Sequence, residues 1–435
     1  MSSKTKPTPA LLPKLRFPEF QSAGHWTTEK LGALATVSTE KVGTNSCVPM
    51  SITSGVGLVS QEDKFGRVIA GDSYKNYLLL KPNDFAYNKS ATKEYPEGFL
   101  TLYSGTKLAA VPNSIFTCFR INGDSPDARF LNYQFSDNLH GRWLRQFIQV
   151  GARAHGSLSI NDNDLMALPV PVPAGTTSVD EQQEIAACLS SVDELIAAQA
   201  RKVDALKTHK KGLMQHLFPR EGETQPRLRL PEFQNAGEWS EGSLADIGTV
   251  LQGYGFPERH QGLKNGDYPF YKVSDISKTL AAGKVFIKES ANYINESLLT
   301  ELRAKPIPEG TTIFAKIGEA IRSNKRAITT VPCLIDNNAA GVKRIKGKAT
   351  DLFIYMLMEQ ISLIDHAGGV VPAVNKSAIQ EIAVKFPKPD EQERIASCLS
   401  SLDALITAET QKHEALKTHK KGLMQQLFPS LGEEK

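Results

Sequence analysis

Long apolar runs are missing from this chain, and with them any segment long enough to span a bilayer as a helix. Nor does it open on a secretory leader, so the expected compartment is the cytoplasm and no membrane partner is expected. Cysteine is scarce. Cys47, Cys118, Cys188, Cys333 and Cys398 form no CxxC pair and no metal-like cluster with histidine, which argues against a zinc site or a disulfide framework. There is little excess of either charge. Lys and Arg number 51 against 47 Asp and Glu, so any nucleic-acid surface must be a local patch rather than a global property.

Catalytic signatures are missing too. The Walker A loop is absent; its nearest approximation, Gly341 to Gly347–Lys348, has the wrong spacing and carries Ala349 where a hydroxyl should hold Mg²⁺. HExxH and GxSxG do not occur. No two prolines are adjacent, which excludes the Asx-Pro-Pro-aromatic loop of amino-methyltransferases. GYGFPE, from Gly253, lacks the third glycine of a dinucleotide loop. The reading is a chain with no catalytic residues, no metal and no cofactor of its own.

What the chain does contain is itself, twice. EQQEIAACLSSVDELIAAQARKVDALKTHKKGLMQHLFP, Glu181–Pro219, returns as EQERIASCLSSLDALITAETQKHEALKTHKKGLMQQLFP, Glu391–Pro429, at a constant offset of 210 and with about two thirds of its positions identical. Both copies read as long helices without an internal proline, about 57 Å each at 1.5 Å per residue. Ile185, Leu189, Val192, Ile196 and Leu206 in the first copy, and Ile395, Leu399, Leu402, Ile406 and Leu416 in the second, fall on the 3-4 spacing of a coiled-coil seam. Polar residues interrupt both seams near the middle, Gln199 in one and Glu409 and His413 in the other, where they are expected to fix register or partner. Gly212 and Gly422, costly inside a helix, are expected to mark a bend or a close approach. A weaker alternative packs each helix on its own globular domain.

A second repeated block, LRFPEF with Trp26 and LRLPEF with Trp239, opens each half. Joining the termini would let the order run round twice and close. The expected termini are therefore neighbours, the halves are related by an approximate two-fold axis, and the helices run antiparallel. The expected layout is an arm and first block (1–26), a variable domain (27–177), a long helix (178–218), a linker and second block (219–239), a second variable domain (240–389), a second helix (390–428) and a tail (429–435). Both variable segments show short apolar runs between Gly, Pro, Asn and Asp clusters, an α+β pattern. Helices are expected at Arg142–Val150 and Leu352–Ile364.

Basic residues beside aromatics and amides occupy expected loops of the variable domains: Tyr87, Asn88, Lys89, Lys93 and Tyr95, then Arg153 and His155, in the first; Arg259 and His260, then Lys316, Arg322, Asn324, Lys325 and Arg326, with Asn337 behind, in the second. Arg and Lys suit phosphates or the guanine edge, and Asn suits the adenine edge, so these are candidate DNA contacts.

The doubled KKGLMQ(H/Q)LFP endings, the LRxPEF…Trp openings, the DEQ at the helix starts and the circular order of parts resemble the specificity subunit of type I restriction–modification systems, over almost the whole chain. The resemblance implies two α/β target-recognition domains separated by two long antiparallel coiled-coil helices in a pseudo-two-fold, circular repeat. It implies that each domain reads one half of a bipartite, asymmetric site on double-stranded DNA, that the helices set the spacer and dock two modification methyltransferase subunits, and that restriction endonuclease subunits join them. S-adenosylmethionine, ATP and Mg²⁺ would then belong to those partners, in an assembled DNA adenine methyltransferase and ATP-dependent endonuclease. A coiled-coil two-domain adaptor without DNA binding is the competing reading.

Overall fold

The protein is described here by a computed structural model covering residues 11–53, 55–148, 156, 158–220 and 222–430. It divides into two compact units, Met1–Ala198 with His413–Lys435, and Gln199–Lys412. The division cuts across the two long helices, Ser178–Leu217 and Pro389–Leu427. Each unit thus holds the first half of one long helix, the second half of the other, and one variable domain.

In the first unit, a four-stranded antiparallel sheet runs in the order Ala35–Ser38, Phe116–Ile121, Phe85–Asn88, Phe99–Leu102. A second four-stranded sheet contains Val48–Thr53 parallel to Ala109–Val111. In the second unit the order Gly248–Gln252, Ala339–Arg344, Thr312–Ala315, Arg326–Thr329 repeats the antiparallel sheet, with Phe286–Ile287 added parallel at its edge. A three-stranded sheet there again contains a parallel pair, Tyr268–Tyr271 with Leu334–Ile335. Two segments with little sequence in common therefore share one sheet plan.

Both domains close in the same way. Asn161 and Asn375 accept hydrogen bonds from the backbone amides of Asp164 and Ala378, capping the short helices Asp162–Met166 and Lys376–Gln380. Strands Pro169–Val172 and Ala383–Phe386 follow and pair antiparallel with Thr27–Lys30 and Ser240–Ser243. Prolines are tolerated in the first of these strands because the sheet has only two strands and every strand is an edge.

The helix expected over Arg142–Val150 is displaced. The chain forms Leu139–Leu144 and a 3₁₀ turn, Arg145–Phe147, while the longer helix of this region is Ala128–Ser136, N-capped by Asp127. Residues 149 and 150 lie outside the described set. The helix expected over Leu352–Ile364 spans Asp351–Gln360 and is followed by the 3₁₀ turn Leu363–His366.

The seam positions divide. Ile185 and Leu189 are buried in one core with Phe130, Leu165 and Val170 of the first variable domain and with Met424, Leu427 and Phe428 of the second long helix. Ile395 and Leu399 are buried among Phe353, Ile379 and Val384 of the second domain and Met214, Leu217 and Phe218 of the first long helix. Near its start each long helix is thus core to a variable domain and to the end of the other long helix together. Val192, Ile196, Leu206, Leu402, Ile406 and Leu416 are half-buried.

Candidate nucleic-acid interface and the scaffold that carries it

Each unit is tied together by one repeated latch. In the first, the Arg16 guanidinium donates through Nε (2.8 Å) and Nη2 (2.6 Å) to the two carboxylate oxygens of Glu181, at the first turn of the long helix, and Trp26 Nε1 donates to the same carboxylate at 3.2 Å. Arg16 Nη1 also donates to the carbonyls of Ala23 and Gly24. In the second, Arg229 donates to Glu391 at 2.8 and 2.7 Å, Trp239 Nε1 donates to it at 3.3 Å, and Arg229 donates to the carbonyls of Ala236 and Gly237. The carboxylates are buried, so charge-assisted, bidentate pairing is what makes their burial tolerable.

Around each latch sits one aromatic trio: Trp26, Phe130 and Phe428 with centroids 5.4–6.5 Å apart, and Trp239, Phe353 and Phe218 at 5.6–6.2 Å. The opening block then meets the end of a long helix: Leu15 N donates to Gln426 O at 3.0 Å, and Leu228 N to His216 O at 2.9 Å. So the start of the chain is bonded to the end of the last helix. Arg, Trp, the helix-start Glu and the LFP phenylalanine are repeated in the sequence because they meet here.

The helix pairing is antiparallel within each unit. In the second, Lys210 pairs with Asp403 at 2.6 Å, while Gln199 and Lys202 reach Glu409 at 2.7 and 2.5 Å, so the partner number rises as the other falls. In the first, Lys420 pairs with Asp193 at 2.6 Å. These two Lys–Asp pairs are the same pair under the 210-residue offset. Gln199 and Glu409, also equivalent, face each other at the interrupted seam. Hydrogen bonds from Lys202 and Gln199 hold the Glu409 carboxyl below the usual range.

Against this frame the candidate DNA contacts separate. Tyr87, Asn88 and Arg326 are buried and do not present themselves at the surface. Tyr87 is 0% exposed and donates its hydroxyl to Glu97 O at 2.7 Å; burial pushes its phenol well up. Asn88 accepts from Ser90 N. Arg326 lies over the Phe314 ring at 5.1 Å and donates to Asn324 Oδ1 at 2.6 Å, and burial lowers it to about 10. Short polar-aromatic runs look alike in strands and loops, and here FAYN and RAIT are strands of the central sheet. Asn324, at φ +48°, caps this arrangement by donating to Glu359 O and is a turn residue.

The others remain accessible to varying degrees. Lys93 is exposed, and Lys89 lies 3.6 Å from Asp162. Tyr95 packs edge-on against Phe99 at 4.6 Å. Arg259 pairs with Glu301 at 2.8 Å and donates to His260. Arg322 pairs with Glu319 at 3.0 Å, Lys325 donates to Ser277, and Asn337 is exposed. Arg153 and His155 lie outside the described residues. The structure brings Lys316 beside the Asn337–Asn338 turn, through Lys316 N to Asn338 O at 2.9 Å. Its ammonium is half-buried against Gln252 and lowered by desolvation. Lys89 holds the matching position in the other domain, one residue past the equivalent strand, and its carbonyl accepts from Leu158 N as that of Lys316 does from Val374 N.

Sequence reasoning passed over the hairpin Gly368–Ala373. Its tip bears Val370, fully exposed, and Val371, 63% exposed. The signal was the string GGVVP, two apolar residues between turn formers.

Residues 236–418 match the family described as Type I restriction modification DNA specificity domain. Over that stretch the chain is similar to type I specificity subunits. A putative type I restriction enzyme MjaX specificity subunit of Methanocaldococcus jannaschii is 24% identical over 347 residues, covering 76% of this chain and 74% of that protein. The MjaIX specificity subunit of the same organism is 24% identical over 65% of this chain and 66% of that one. The type I S subunit structure from M. genitalium covers 96% of this chain at TM-score 0.53 and 15% identity. A chain from a study of complex assembly and conformational transition of the type I R-M system covers 93% at TM-score 0.58 and 13% identity. The two structural likenesses support an α+β fold for this chain, and an adaptor without DNA binding is not favoured. No helix among the described residues is long and apolar enough to cross a membrane.

Proposed function

We propose that this chain is a type I specificity subunit that reads a bipartite, asymmetric site on double-stranded DNA, one half-site per variable domain. It is not itself catalytic. Its long helices dock two modification methyltransferase subunits, restriction endonuclease subunits complete the assembly, and S-adenosylmethionine, ATP and Mg²⁺ are held by those partners in the cytoplasm.

The observation that carries this reading is the doubled latch on an undivided sheet plan. The same Arg–Glu–Trp constellation and aromatic trio fix each variable domain to the repeated helix segments, while the loops differ. The repeated helices, alike at about two thirds of their positions, offer equivalent surfaces to two copies of one partner. Differing loops suit two different half-sites. Lys89, Lys93 and Tyr95 in one domain and Arg259, His260, Lys316, Arg322, Lys325 and Asn337 in the other are the accessible groups proposed to meet phosphates and base edges. The non-specific spacer is then a property of helix length.

Mapping methylated adenines in host DNA, with and without this chain, tests the proposal. A split motif with unlike halves that disappears with the chain is expected. Methylation that is unchanged on removing the chain contradicts it.

A further inference from the structure

Val370 is the most exposed large apolar side chain among the described residues, and Val371 stands exposed beside it at the same hairpin tip. Val370 and Val371 are held out, not loose. Gly368 and Ala373 exchange two backbone hydrogen bonds, each 3.1 Å. Pro372 O accepts from Gly318 N at 2.7 Å and Val374 N donates to Lys316 O at 2.9 Å, so the hairpin is seated on the end of the central strand that carries Lys316. Gly369, at φ +90°, makes the turn. At the hairpin's base, Lys316, His366 and Asn375 line a cavity of about 690 Å³ together with Asp365. Lys376 follows Asn375 at the start of the short capped helix.

The surroundings carry the cations Lys316 and Lys376 and the amide of Asn375, with Asp365 the acid of the cavity wall and Glu319, in the next turn, paired to Arg322. A tip of two branched methyl-bearing side chains with an ammonium behind it matches a duplex edge: phosphates for the cations, and an apolar group for the valines. In the major groove the one apolar group is the thymine C5-methyl.

We propose that the Val370–Val371 tip is a base-reading element of the second variable domain, packing against the C5-methyl of a thymine in the half-site that this domain reads. The inference rests on the DNA-reading function proposed above. It adds that one base pair of that half-site is T·A and is selected by apolar contact, with Lys316 positioning the hairpin through its backbone carbonyl.

The test uses the chain assembled with its partner subunits, and duplex oligonucleotides carrying the motif mapped in host DNA. Each thymine of the second domain's half-site is replaced in turn by 2′-deoxyuridine, which removes only the methyl. With the native chain, one such replacement is expected to weaken binding about four-fold, the worth of one buried methyl-sized group. With Val370→Ala or Val371→Ala, the thymine probe is expected to bind more weakly and the preference over deoxyuridine at that position to fall towards one. An unchanged preference in both variants, or a half-site without thymine, overturns the proposal while leaving the split-site function standing. Loss of subunit assembly with the preference intact also overturns it, and makes the tip a protein contact. A native chain that directs no split motif contradicts both.

Discussion

Glu181 and Glu391 each take a buried position in the first turn of a 40- or 39-residue helix, and each is satisfied by an arginine about 160 residues earlier in sequence. Truncating the arginine would leave a buried carboxylate facing only an indole N–H. Arg229→Ala is expected to destabilise the second unit by about 3 kcal/mol in urea denaturation, the usual cost of removing one partner of a buried pair. His140 makes a second prediction. Its ring is buried, with Nε2 3.3 Å from Gly98 O, and burial holds its pKa at about 4, below the ordinary 6.5. The unfolded chain takes up that proton below pH 6.5 and the folded chain does not until about pH 4. Stability of the first unit is therefore full above pH 6.5 and falls as pH drops through that window, by up to about 3 kcal/mol. His140→Gln should flatten the slope in denaturation followed between pH 7 and 4; an undiminished slope would assign it to other groups. Residue-scale roles were the least legible in the sequence. Tyr87 and Arg326 sit in strings that look like binding loops, and only the strand register, Tyr87 opposite Leu100 and Arg326 opposite Phe314, turns them inward.

At the scale of the element, the long helices were plain from period and repetition, because a 3-4 spacing held over ten turns has few alternative explanations. What the pattern could not say was which neighbour each apolar position meets. Ile185 and Ile395 satisfy the same spacing whether the surface opposite is a helix or a domain, and here one core holds both. The glycines were misjudged. Both helices run unbroken through Gly212 and Gly422, and among the described residues a Cβ at either meets nothing within 4 Å. Gly212→Ala and Gly422→Ala are thus each expected to stabilise the isolated chain by about 0.5–1 kcal/mol, read as a raised urea midpoint. Helix length supplies the next prediction. Deleting seven residues from both helices at matched positions removes about 10 Å, equivalent to about three base pairs at 3.4 Å each. The methylated motif should keep both half-sites and lose about three spacer positions; an unaltered spacer would separate helix length from spacing.

For the molecule as a whole, the circular order of parts was the most legible feature and the variable domains the least. The order follows from two blocks repeated in alternation, and the bond from Leu15 N to Gln426 O gives it physical form within the first unit. The domains' shared sheet plan left no comparable trace. Phe85–Asn88 and Thr312–Ala315 are both buried at every position and hold equivalent places in their sheets with different side chains. The most direct measurement is to replace residues 240–387 with the corresponding domain of a type I specificity subunit and sequence the methylated motif. Independent reading predicts that one half-site is exchanged, while the other half-site and the spacer are kept. A motif altered in both halves would contradict it.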